Sequence, residues 1–392
     1  MNKKDINEIK KQFTQDNCAI TRLCGCYVDG EKNKRTEIKE AFLSLPEEEI
    51  FKYFEIFKKT LSGTIGRSLI NMEFPLHTEQ EGGTQEFLLR LRDSRLTDQE
   101  MLEKFYDKII ESYDYSENYL ILLIHAAYDI PGKASDGLEM FDASDEVYEY
   151  LLCAICPVNL SKPGLAYNPE ENCFQNRIRD WVVEMPEIGF LFPAFTDRST
   201  DLHSLLYYIK KPENLHENLI TEVLGCVTPL TAGSQKESFN TLVENALGES
   251  CDFEVVKAIH EKLNELAEVK KDDPEPLVLD KNEVKALLLQ SGVEREKLED
   301  FDVQYEACNG TDIPFVASNV TNTKKFEIKT EDVIVTVNPE RADLVETQII
   351  DGQRCLVIRI DDHVEVNGIS VRTISTAEQE AAAALTDPFE EE

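Results

Sequence analysis

The chain has no apolar run long enough to cross a bilayer: the longest, residues 119–128 of 392, is about half of the ~20 residues a membrane helix needs. Lys3 and Lys4 have no apolar segment behind them, so no signal peptide is expected. Positive charge is scarce. Lys and Arg number 41 against 76 Asp and Glu, a net charge of −35, and so acidic a chain repels polyphosphate and anionic membrane at long range. Broad nucleic-acid or lipid binding is thereby disfavoured. Residues 1–35 depart from the trend, with eight Lys or Arg against five acids.

A phosphate-binding loop is also missing. Gly63-Thr-Ile-Gly-Arg-Ser68 has the glycines, but Leu61 stands where the first glycine belongs, Arg67 replaces the lysine, and the helix precedes the loop instead of following it. Cys153-x-x-Cys156 has no second pair to complete a four-thiolate site, and positions three apart on a strand face opposite sides of a sheet. Ten cysteines without a secretory signal point to free thiols in a reducing cytosol.

What is present reads as an α+β protein with a mixed, largely antiparallel central sheet, helical layers, and a smaller α+β C-terminal domain. Helices are expected over 3–13, 46–61, 84–95 and from a Thr97 cap to about Ser112, with Ser44-x-x-Glu47 and Thr97-x-x-Glu100 as capping boxes. A strand and hairpin over 18–35 turn at Asp29-Gly30, placing Cys18, Ile20, Cys24, Cys26 and Val28 on one face. The run 119–128 is apolar on both alternating faces, as a strand inside a covered sheet must be, and its His125 reads as a core residue. Further strands are expected at 150–157, stopped by Pro157, at 189–195 and at 202–209. Residues 173–185, with the only tryptophan, Trp181, read as extended with Ile178, Val182 and Val183 partly inward.

Residues 1–268 form the expected N-terminal domain, with a helical subdomain at 213–268 that includes a capping box at Ser234-x-x-Glu237. The polar, proline-bearing stretch 269–277 reads as a linker. The C-terminal domain follows at 278–374: helices near 280–290 and 294–306, then strands separated by Asn338-Pro339, Asp351-Gly352 and Asn367-Gly368. Its helix pair carries Glu294, Glu296, Glu299 and Asp300 where a DNA reader needs basic residues. Residues 375–392 read as an acidic, disordered tail.

The densest chemical string is Asp197-Arg198-Ser199-Thr200-Asp201-Leu202-His203, after an apolar strand. Asp197, Arg198, Asp201 and His203 are the candidate catalytic residues: the arginine to hold an anion, the aspartates to bind metal or act as base, the histidine as acid or ligand. A polar turn accounts for the same residues without chemistry, with Asp197 and Ser199 bonding backbone amides and Arg198 neutralising Asp201.

Leu23-Cys-Gly-Cys-Tyr-Val-Asp-Gly30, Ala154-Ile-Cys-Pro-Val158, the run Gly189 to His203, and Val364-Glu-Val-Asn-Gly368 resemble a family of unknown function from clostridial Firmicutes. That resemblance covers nearly the whole chain except the tail and implies a bacterial cytosolic protein, with no catalytic residue carried over. The leading functional reading is a non-enzymatic binding or regulatory protein acting through protein partners or self-association. One alternative is an enzyme on a phosphorylated or anionic small substrate through 197–203. Another is RNA or ribosome contact through the basic N-terminal hairpin (Lys32, Lys34, Arg35), which the overall charge disfavours. No membrane, no DNA, no metal set and no cofactor is assigned.

Overall fold

The computed structural model describes residues 1–371 apart from 134–138, 141–145, 249–250, 271, 310–312, 323–324 and 361–363. The tail expected at 375–392 lies outside the described residues. Along the chain come α1 (Lys3–Lys10), β1 (Ile20–Val28), β2 (Lys34–Glu40), α2 (Glu47–Thr60), β3 (Leu69–Glu73), α3 (Thr84–Asp93), α4 (Gln99–Ser112) and β4 (Tyr119–Ile130). After the short pair β5 (Gly132–Lys133) and β6 (Glu139–Met140) comes the long β7 (Glu146–Leu160). Then follow β8 (Leu165–Asn168), β9 (Cys173–Asn176), β10 (Trp181–Val183), β11 (Ile188–Phe192), β12 (Ala194–Thr196), β13 (Ser199–Asp201) and β14 (Ser204–Ile209).

The fold is α+β, built on an antiparallel sheet in the order β2-β1-β4-β7-β11-β14-β3, with β10 paired to the end of β7. Alternation along the strands divides its side chains between two cores. Ile121, Leu123, Cys153, Phe190 and Tyr207 lie under α3, α4 and the π-helical turn Leu219–Leu224. Leu122, Ile124, Leu152, Cys156 and Tyr208 lie under α1 and α2. Helices on both faces explain why β4 has no polar side, and each fully buried large apolar side chain contributes about 1.5–3 kcal/mol. Gly189 lets α2 come close: a Cβ there would collide with Thr60 and stand 2.5 Å from the Cys153 carbonyl oxygen.

A third core joins α5 (Ala232–Leu247) and α6 (Phe253–Val269) to α7 (Lys281–Gln290), α8 (Phe301–Asn309) and α9 (Ala317–Val320), on either side of 269–277. Between them, β15 (Val278–Leu279) pairs with β16 (Phe315–Val316). The segment 269–277 is itself held, since Pro274 accepts from the Lys3 amide (3.0 Å) and Leu277 from the Ala317 amide (2.9 Å). Asn319 ties this helical unit to the sheet unit by donating to the Gly66 carbonyl (2.9 Å) and to Gln235 Oε1 (3.2 Å).

Several local expectations are corrected. Cys24, Cys26 and Val28 do share a face, but Ile20 enters the opposite core because the register slips between Ile20 and Arg22, and a bulge of one residue reverses the alternation. None of the three capping boxes named for residues 44, 97 and 234 forms. Pro46 precedes α2 without a side-chain cap, Asp98 caps α4, and Thr231 caps α5 by accepting from Ser234. Pro157 does not stop β7. The Val158 amide points to the β4 side, bonding Asn118, so the position of Pro157 turns toward the gap between β11 and β10, where no ladder bond is needed. The run 189–195 divides at Pro193 into β11 of the central sheet and β12 of a separate hairpin. The helix expected over 294–306 resolves into a 3₁₀ turn, Arg295–Leu298, and then α8.

The C-terminal strands form three two-stranded ladders and, among the described residues, no common sheet: β17 (Phe326–Lys329) with β18 (Ile334–Val337), β19 (Val345–Ile350) with β20 (Gln353–Ile358), and β21 (Val364–Val366) with β22 (Ile369–Val371). The turns Asp351-Gly352 and Asn367-Gly368 have positive φ at both residues, as hairpin loops of this kind require.

Candidate functional site

The string after β11 folds as a hairpin. β12 pairs with β13 through Ala194↔Asp201, Phe195↔Thr200 and Thr196↔Ser199, leaving Asp197-Arg198 as a two-residue loop with φ +50° and +62°. Positive φ at both loop residues matches the twist of the flanking strands. Asp197 is exposed at the tip. Arg198 Nη1 lies 2.9 Å from Glu8 Oε1 on α1, and Nη2 donates to the Pro131 carbonyl at 2.8 Å. The Tyr128 hydroxyl donates to the same Glu8 oxygen at 3.0 Å. Arg198 therefore ties the hairpin to α1 and to the end of β4.

Asp201 and His203 come together in the next turn. Asp201 accepts from the His203 amide (3.0 Å) and the Ser204 hydroxyl (2.6 Å). His203 Nδ1 sits 2.7 Å from Glu79 Oε1, and that hydrogen bond and charge raise the imidazole pKa. The ring is open to solvent. Of the four candidates, the geometry joins Asp201 with His203 and directs Arg198 to α1. Among the described residues no group of three or more His, Cys, Asp or Glu side chains is placed to hold a metal ion.

The other sequence candidates sit in the cores. Cys153 and Cys156 are buried on opposite faces of the sheet, as strand spacing requires, and burial pushes both thiols up. Burial raises Cys24 and Cys26 to about 11, which keeps them protonated and unreactive at neutral pH. His125 is fully buried, with Nδ1 2.7 Å from the Thr21 hydroxyl, and burial lowers its pKa to about 4. In the basic N-terminal hairpin, Lys34 pairs with Asp107 (2.6 Å) and Arg35 with Asp29 (2.5 Å). Two of the three charges named for RNA contact are thus already matched.

A different surface stands out. From the end of β7 the chain leaves the helix-covered sheet as an arm, residues 160–185: the β8–β9 hairpin, then β10 returning against Val158–Leu160. Leu165 is 77% exposed, Phe174 73%, Ile178 81% and Trp181 55%. The expectation that Ile178, Val182 and Val183 point partly inward is corrected: all three are exposed, and β10 pairs, among the described residues, only with the extremity of β7. Tyr167 and Phe174 pack ring to ring at 5.6 Å across the hairpin. The available sequence signal was composition: a single tryptophan between Arg177, Arg179 and a run of valines, next to a proline- and asparagine-rich turn.

Residues 1–369 match the family described as a domain of unknown function (DUF4317). No curated protein matches the chain.

Proposed function

We propose that this protein, which belongs to the DUF4317 family, is a non-enzymatic binding protein whose arm, residues 160–185, docks on the arm of a second copy. One observation carries this reading: strand-forming apolar and aromatic residues of the one arm, Leu165, Phe174, Ile178 and Trp181, are all exposed to solvent. Exposed clusters of this kind mark interaction surfaces, and Trp, Tyr, Phe, Met and Arg are the residue types enriched there. β10 pairs with β7 alone among the described residues, so its other edge offers backbone donors and acceptors to an incoming strand.

Charge favours a second copy at this place. Two chains of net charge −35 repel, but the arm is nearly neutral, with three basic residues against four acidic ones, so two copies approach there with little opposition. The C-terminal hairpins also expose apolar residues such as Ile349 and Ile369, yet residues 326–371 carry four basic against ten acidic residues. An arm-to-arm contact is isologous: a two-fold axis through β10 uses the same patch twice and closes the pair. We place the protein in a bacterial cytosol, in keeping with ten free cysteines. No helix among the described residues is long and apolar enough to cross a membrane.

Sedimentation or light scattering over a concentration series tests the reading. The full chain is expected to form a dimer, and Phe174→Asp with Ile178→Asp to remain monomeric with unchanged circular dichroism. A wild-type chain that stays monomeric at all concentrations overturns it, and so does a dimer that survives the double substitution.

A further inference from the structure

On the face of the molecule formed by α1 and α2, a groove of about 1050 Å³ runs beside the end of β4. Its walls bring together Lys4, Lys10 and Lys11 from α1 and the residue following it, and Lys58 from α2. We propose that this groove binds a small anion carrying two or more phosphate groups, a site independent of the docking arm.

The placement of the lysines has a simple local cause. Lys10 lies in the last turn of α1 and Lys58 in the last turn of α2, where the negative end of each helix dipole favours cations. That accounts for a lysine at each helix end. It does not account for the two ends facing one groove with no carboxylate answering them. Lys10 is half-buried, and three influences act on its ammonium: loss of water first, then Lys58, then Lys59, all of which lower its pKa. Some cations elsewhere on the chain are matched, as in Lys34 with Asp107, Lys39 with Glu37 and Arg95 with Glu149. Lys4, Lys10, Lys11 and Lys58 have no ion-pair partner among the described residues.

Two acids touch the groove. Glu8 is engaged by Arg198 and by the Tyr128 hydroxyl. Asp129 stands exposed on the rim. Lysine is a compact point charge that binds phosphate well, and a groove of this volume accepts a ligand of nucleotide size. Asn7 and Gln12 also line the groove. The sequence-level idea of an anionic ligand held by Arg198 is thereby relocated: Arg198 holds Glu8, and the lysines beyond it face the open space.

Titration calorimetry of the full chain with sodium tripolyphosphate, at low and at physiological ionic strength, tests the proposal. One site is expected, weakening with salt. Lys10→Ala with Lys58→Ala should weaken it at least tenfold, and Lys39→Ala, outside the groove, should leave it unchanged. The ligand-free melting temperature should change little, because the relieved repulsion between the two lysines offsets the helix-end charges that are lost. Absence of heat, or binding that survives the double substitution, overturns the proposal. So does a fall in melting temperature that accompanies lost binding, since the lysines would then be structural. A single-stranded oligoribonucleotide that binds through the same lysines more tightly than tripolyphosphate would also overturn it, assigning the groove to nucleic acid.

Discussion

β4 and β10 both lie against β7, and both are poor in polar side chains, yet β4 is almost wholly buried while β10 is exposed. β4 pairs with residues 146–157 of β7, under α1 and α2 on one side and α3 and α4 on the other. β10 pairs with residues 158–160, where burial gives out: Val158 is still in the core and Leu160 is exposed. The two strands differ in neighbours and not in alphabet. Burial in a sheet is decided by what covers the faces, and hydropathy along one strand reports only that a cover is wanted. β4 obtains its cover from its own chain; β10 leaves the want open, which is the basis for assigning it to another copy.

The largest expected effect is on the covered side of this contrast. Leu152→Ala should cost about 2–5 kcal/mol, the range for truncating a buried leucine, read from urea unfolding, whereas Val182→Ala on β10 should cost less than about 0.5 kcal/mol. Equal costs would erase the distinction. His125, inside β4, gives a pH-dependent version of the same test. Its folded pKa of about 4 lies below the ordinary value of 6.5, so the unfolded chain takes up a proton first as pH falls. Stability from the neutral ring is full above pH 6.5 and is lost as pH drops toward 4. The gap between wild type and His125→Gln should therefore shift by about 3 kcal/mol between pH 7 and pH 4 in favour of the variant.

Smaller effects follow at the junctions and in the arm. Arg198→Ala removes the link from the β12–β13 loop to Glu8 and the Pro131 carbonyl. A cost of about 1–2 kcal/mol is expected, with the circular dichroism spectrum kept; a change below about 0.3 kcal/mol would make the link incidental. Smallest of all, Phe174→Asp with Ile178→Asp should alter monomer stability by no more than about 0.5 kcal/mol while abolishing association. A double variant that unfolds would show that the arm is covered by its own chain.

Much of the architecture was legible because period and burial agree. The helical faces of α2 and α4 and the two-faced apolar run of β4 follow from spacing alone, and the opposite burial of Cys153 and Cys156 follows from strand geometry. Features that depend on a neighbour were not legible. Whether Pro157 ends a strand depends on where β11 and β10 leave a gap, and whether Thr97 or Asp98 caps α4 depends on one residue of phase. The C-terminal strands were readable as strands, but their separation into three ladders depends on tertiary placement. For the candidate site, the polar string at 197–203 was visible as composition, whereas its division between a hairpin loop linked to Glu8 and a turn linked to Glu79 needed elements more than 100 residues away. The lysine groove was hidden for the same reason, since Lys10 and Lys58 meet only through the packing of α1 on α2.

Trp181 is the only tryptophan in the chain and stands on the open strand of the arm, so its fluorescence reports the proposed docking directly. In a dilution series of the full protein, emission should move to shorter wavelength and acrylamide quenching should fall as concentration rises, with both changes absent in the Phe174→Asp, Ile178→Asp variant. A Trp181 that remains fully quenchable and water-exposed from the lowest to the highest concentration would contradict the account.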